Sequence, residues 1–192
     1  MATRLAQIRW PRQPSLYRPL RDALCRILCE LAPLFGWGRS LFQKPPPYDP
    51  AKWNDGGYVQ DNNNCYNYGC DMQTNTFAQP GRAAQLPLIA PDCIEVATLS
   101  AADGLRPVPD PTYPNPHPSC CHLVALVIAP EIDFHFYRLD DTGNWSHKPG
   151  KTPARNTDES GNAIGSPETA DRGMYTEFCG YFYVCDCEVE IV

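Results

Sequence analysis

Cysteine and histidine are the residues of this chain best suited to covalent or acid–base chemistry, and of its ten cysteines and four histidines few stand where neighbours would help them. Cys65 is the most suggestive, within Asn64-Cys65-Tyr66-Asn67-Tyr68. If a helix begins at Asn64, the thiol lies in its first turn, where free amides and the positive end of the helix dipole favour a thiolate. The same amides would hold an oxyanion while a carbonyl is attacked, and Gln60, five positions upstream, would add a side-chain donor. A thiolate mechanism also needs a base with a fixed tautomer. His117 lies among prolines, and His122 opens an apolar run as a boundary histidine. His135 and His147 are more informative because a hairpin would join them. A loop centred on Asp141 sets the two face to face, and a centre one residue later pairs His147 with Tyr137 and leaves His135 diagonal on the same face. In either register one imidazole can act as base and the other orient it. Asp133 and Tyr137 share the parity of His135 and are alternative orienting residues, with Asn144 and Asp158 weaker ones. An aromatic and polar cluster covering the sheet is the competing account of the pair.

The elements that must position these residues follow from periodicity. Residues 123–129 form a continuous apolar run rich in branched side chains, which suits a central strand. Residues 132–139 alternate and end at Asp140-Asp141-Thr142-Gly143, a hairpin turn, with 144–148 returning before Pro149-Gly150. Residues 175–184 make the last strand, behind a polar loop over 151–172. Upstream, a short helix is predicted near Asn64; residues 82–99 hold short apolar pieces broken by prolines, and 101–118 a proline-rich surface loop. The fold class expected is α+β, short helices packed on an antiparallel sheet.

Before this domain the chain changes character. Up to Lys44 there are eight Arg or Lys against two acids, a net of +6, whereas from Pro45 onward the net is -12. Leu16, Leu20, Leu24, Leu28, Leu31 and Phe35 recur at helical spacing, with Ile27 and Leu34 beside them. The chain therefore divides into a basic amphipathic helical leader over 1–44, a proline-rich spacer over 45–54 and a domain over 55–192. The leader either docks on its own acidic domain or meets a membrane surface, chaperone or partner helix. So acidic a domain offers no field for a phosphate backbone, which argues against nucleic acid. No run of 18 apolar residues exists for a transmembrane span, and no signal-peptide core is visible.

Cysteine makes up about 5% of the chain, more than an ordinary cytosolic protein and less than a small disulfide scaffold. Buried free thiols with one reactive cysteine are expected, disulfides and metal ligation being the alternatives. Adjacent Cys120, Cys121 and His122 fit zinc spacing poorly, so no metal and no cofactor are expected.

The order Asn64-Cys65, then His135, then His147 resembles papain-like cysteine hydrolases, especially the NlpC/P60 type of cell-wall amidase and peptidase. The pieces NCYNYG, TFAQPG, HLVALVI, DFHFYRLDDTGNWSHKPG and GYFYV look like those of a poorly characterised bacterial and phage-associated family. The chain departs from the NlpC/P60 type in having Asn64 rather than Asp before the cysteine. The resemblance implies acyl transfer to Cys65 and hydrolysis of an amide or isopeptide, with His135 as base, His147 orienting it and Gln60 at the oxyanion. Bacterial peptidoglycan is the implied substrate, and a secretion partner or immunity protein the implied companion. A bacterial effector of this kind is cytoplasmic when made and delivered by a specialised secretion system or phage lysis. The alternative is a non-enzymatic carbohydrate- or protein-binding, or structural, module.

Overall fold

Apolar, mostly branched residues on both parities of 121–129 demand a strand covered on both faces, and the strand Cys121–Ala129 is buried at every residue. The computed structural model describes Ile27 and residues 45–108, 121–185 and 187–192; the rest of the leader and residues 109–120, with His117 and Cys120, lie outside the described residues. In chain order the elements are a 3-10 turn Pro50–Lys52, helices α1 (Tyr58–Asn62), α2 (Cys65–Gly69) and α3 (Cys93–Ala102), and strands β1 (Arg106–Pro107), β2 (Cys121–Ala129), β3 (Asp133–Leu139), β4 (Trp145–His147) and β5 (Glu177–Cys185). The strands form one antiparallel sheet in the order β1-β5-β2-β3-β4. The architecture is α+β, with short helices on a five-stranded antiparallel sheet.

Alternation divides the sheet into two buried faces. Val124, Leu126, Ile128, Phe134, Phe136 and Phe182 pack with Cys65 and Tyr66 of α2 and Val96 and Ala97 of α3. Leu123, Ala125, Val127, Tyr137, Trp145 and Tyr181 pack beneath Ile164 and Ala170 of the long polar segment and Tyr175, which precedes β5. That loop thus serves as the second layer of the fold. It is tied to the edge strand by bridges of Trp145 with Ile164 and His147 with Arg155.

Helix α3 differs from the prediction of proline-broken apolar pieces. Its prolines stay outside, Asp92 caps it by accepting from the Glu95 amide at 2.7 Å, and Cys93, Val96, Ala97 and Ser100 supply a buried face at helical spacing. Just beyond it Gly104 has φ +106, and a Cβ there would fall 2.1 Å from the Glu188 carbonyl, so only glycine lets the chain pass so closely.

The prediction of mainly free thiols is corrected. Cys93 is bonded to Cys179, joining the start of α3 to β5, and Cys121 to Cys185, across β2 and β5. Cys187 is also disulfide-bonded. Cys65 and Cys70, both buried, are the free cysteines among the described residues. The proline-rich stretch is fastened to the sheet: the Asp141 amide donates to the Pro46 carbonyl at 3.1 Å and Arg138 Nη2 to that of Pro47 at 3.1 Å. Trp53, 0% exposed, meets the Tyr68 ring edge-on at 5.1 Å. Among the described residues no helix is long and apolar enough to cross a membrane.

Candidate functional site

Asn64 caps α2 with a reciprocal box: its Oδ1 accepts from the amides of Tyr66 and Asn67, while Asn67 Oδ1 accepts from the Asn64 amide. Cys65 therefore opens a helix, as its neighbours predict, but the amides that would hold a thiolate or an oxyanion already serve the cap. Cys65 is 5% exposed and donates its thiol hydrogen to the Phe134 carbonyl at 3.8 Å. Burial pushes that thiol up to about 12, opposite to the depression expected at a helix start, because the cost of desolvating the anion exceeds what a five-residue helix returns. The side-chain amide of Gln60 is also engaged, donating to the Lys151 carbonyl at 3.1 Å.

The two histidines meet. Strand β4 pairs Tyr137 with His147, the later of the two hairpin registers, so His135 reaches His147 diagonally. His135 Nε2 and His147 Nδ1 are 2.8 Å apart. His147 Nε2 lies 2.9 Å from the Thr157 carbonyl and 3.1 Å from Arg155 Nε. These contacts ask opposite things of one nitrogen, since a carbonyl needs an N–H and a guanidinium needs a lone pair. The shorter contact, and the Glu159 carboxylate that Arg155 already pairs with, favour Nε2–H donating to Thr157. His147 Nδ1 then accepts from His135 Nε2–H.

Rings enclose the pair. Tyr137 stacks on His147 at 4.8 Å, and Tyr175 on His135 at 5.1 Å, with the Tyr175 hydroxyl donating to Asp133 Oδ2 at 2.9 Å. Burial, then His147 and Arg155, hold His135 well below its ordinary value. Burial lowers His147 to about 4 against the opposing pull of the Thr157 bond. Of the other orienting candidates, Asp158 accepts from the amides of Asn162 and Asp171, and Asn144 donates to Thr142 Oγ1 at the exposed hairpin end.

Sheet alternation decides the larger arrangement. Phe134 and Phe136 of β3 belong with Cys65 on the helix-covered face, while His135 between them shares the loop-covered face with Tyr137 and His147. The structure brings His135, His147, Tyr137 and Asp133 into one cluster, and Cys65 into another. His122, by the same alternation, turns to the helix face, where Nε2 donates to the Gly69 carbonyl at 2.7 Å.

Two residues that residue-type reasoning passed over organise these surroundings. Lys148, 0% exposed, donates from Nζ to the carbonyls of Gln60, Asn63 and Gly150 at 2.6, 2.5 and 2.7 Å, and burial lowers it to about 8. Arg138, also 0% exposed, pairs with Asp71 at 2.9 Å and Asp140 at 3.1 Å and lies over the Tyr68 ring. Each continues the parity of a strand facing α2, the one signal that marked them as inward. Among the described residues no group of three metal-ligating side chains is gathered, and Cys121 of the Cys120-Cys121-His122 run is held in a disulfide.

The insoluble matrix shell protein 1 of the clam Ruditapes philippinarum is 47% identical to this chain over 137 residues, covering 71% of this chain and 88% of the clam protein. No family model matches. No solved structure matches. The relationship overturns the resemblance to NlpC/P60 hydrolases and to a bacterial and phage-associated family. It likewise overturns the thiol-dependent amidase or peptidase, its peptidoglycan substrate and the bacterial effector role. The reading of a cytoplasmic product released by specialised secretion or lysis falls with them. The shared order of cysteine and two histidines misled because it specifies sequence positions and not which face of a strand each occupies.

Proposed function

The chain belongs to the family of insoluble matrix shell protein 1, and on that footing we propose that it is a non-enzymatic, disulfide-stapled structural component of an extracellular shell-type matrix. The observation that carries this reading is the 47% identity spanning 88% of the clam protein. The chemistry supports it. Disulfides persist outside the cell and would be idle in a reducing cytosol; here Cys93–Cys179 ties a helix to a strand, Cys121–Cys185 joins two strands, and Cys187 is bonded as well. In this reading Cys65 is a core thiol, Gln60 a loop tie, and His135 with His147 an internal polar pair that fixes the hairpin to the 151–172 segment. Trp53, Tyr66, Tyr68, Tyr137 and Trp145 are buried, so these rings serve packing and do not form a sugar-stacking surface.

Two measurements test the proposal. An antibody against the folded domain should label the decalcified extracellular matrix of the organism that makes the chain; label confined to cell interiors would overturn it. In the oxidised native protein, a thiol alkylating reagent at pH 7 should modify Cys65 at least 100-fold more slowly than in denaturant, and fast native labelling would restore a reactive thiol.

A further inference from the structure

Four apolar side chains stand out of the sheet end where β3 begins. Ile89, Ile132, Ile94 and Met174 are 83%, 71%, 59% and 50% exposed. Hydrogen bonds tie their segments together: the Glu131 amide donates to the Pro91 carbonyl at 3.2 Å, the amides of Ile89 and Ala90 donate to the Glu95 carboxylate, and the Tyr175 hydroxyl donates to the Asp133 carboxylate. Three isoleucines exposed to this degree on one ridge are costly to leave in water and mark a contact surface. The rim is acidic, with Asp92, Glu95, Glu131 and Asp133. The nearest base in sequence, Arg172, donates to the carbonyls of Pro167, Glu168 and Tyr175.

We infer that this ridge is the docking surface for the chain's own basic amphipathic segment, residues 16–35. A second copy is disfavoured, because like ridges would bring carboxylates against carboxylates. The leader is the complementary occupant: eight basic residues against two acids up to Lys44, with leucines at helical spacing to meet the isoleucines. Ile27, which flanks that stripe, is helical and 50% exposed, an apolar side chain with room for a partner. The reach suffices. The chain is anchored where the Asp141 amide meets Pro46, at the far end of seven-residue β3 from Ile132, a span of roughly 23 Å. Residues 36–45 can extend up to about 33 Å, enough to bring the helix back across the sheet end.

The test uses the full-length oxidised protein with a photo-crosslinking benzoylphenylalanine in place of Ile132. Irradiation should give a cross-link within one chain, mapped by mass spectrometry to residues 16–35. Cross-links joining two chains, or none to that segment, overturn the inference. In a second arm, Ile89→Ser with Ile132→Ser, which removes the apolar contact without adding charge at two exposed positions of the ridge, should speed tryptic cleavage after Arg21 and Arg26 at least tenfold, the fold being checked by intact disulfides. An unchanged cleavage rate in that variant also overturns it. Neither arm depends on the matrix role, so the two proposals fail separately.

Discussion

His135 and His147 are each 1% exposed and bonded to one another, and removal from water outweighs the upward pull of Asp158 on His147 and leaves both imidazoles reluctant to take a proton. In the unfolded chain they would protonate near pH 6.5, whereas the folded protein protonates His147 only near 4 and holds His135 well below its usual value. The unfolded state therefore binds more protons between about pH 6.5 and 4, and stability is full above that window and falls as pH drops through it. Each histidine can contribute up to about 1.4 kcal/mol per pH unit. Urea unfolding at pH 7 and pH 5 should show a lower midpoint at pH 5, and His147→Gln should reduce the difference; equal midpoints would mean that the pair titrates normally. At this scale the sequence was informative about the pair, since a twelve-residue interval and a turn signal suffice to bring two strand residues onto one face. Cys65 shows the opposite. Its helix start was legible in Asn64, but its protonation depends on how much protein covers it.

Elements are joined here by buried cations more than by long helices. Arg138 sits on β3 yet holds Asp71 after α2, Asp140 in the hairpin turn, and the Pro47 and Tyr68 carbonyls at 3.1 and 3.3 Å. Two carboxylates and two carbonyls meeting one planar guanidinium replace apolar contact where the helices are only five residues long. Arg138→Met preserves volume but strands buried Asp140, whose cation is gone, while Asp71 keeps Lys52 at 2.7 Å, at a cost of about 3–5 kcal/mol. Guanidinium unfolding should show this as a large fall in midpoint, and a loss below about 1 kcal/mol would indicate that other groups carry the junction. An arginine inside Asp-Phe-His-Phe-Tyr-Arg-Leu signals inward placement by parity alone. Of its four partners only Asp140 is a sequence neighbour; Tyr68, Asp71 and Pro47, 70, 67 and 91 residues away, leave no local trace.

Across the whole molecule the sulfur bridges compensate for thin coverage. Cys93–Cys179 spans 86 residues and Cys121–Cys185 spans 64, and both converge on β5, the strand between β1 and β2. Cross-links of such length remove substantial freedom from the unfolded chain, about 4 kcal/mol each in the entropic account. Cys93→Ser with Cys179→Ser should lower the melting temperature by roughly 8 °C or more for a unit of this size. A melt unchanged by that pair of substitutions would mean that packing of α3 on the sheet suffices without the bridge.

Local chemistry by itself determined strands β2 to β5, the Asn64 cap, the hairpin and the charge reversal at Pro45, because each rests on neighbours within a few residues: alternation for a strand, a side-chain oxygen three residues from an amide, a turn of special backbone. The short edge strand β1 lies in the stretch predicted as a proline-rich surface loop and forms only by pairing with β5. It did not determine α3, whose ten residues become a helix through the Asp92 cap and burial against β2 and β5. Nor did it determine which cysteines pair, since sulfur distance is a property of sheet order. The decisive case is the separation of Cys65 from His135. Parity says that Phe134 and His135 face opposite ways, but which face receives α2 and which the 151–172 segment is settled only when both layers compete to bury the same sheet. That outcome places the thiol with the aromatic core and the imidazoles beneath the loop.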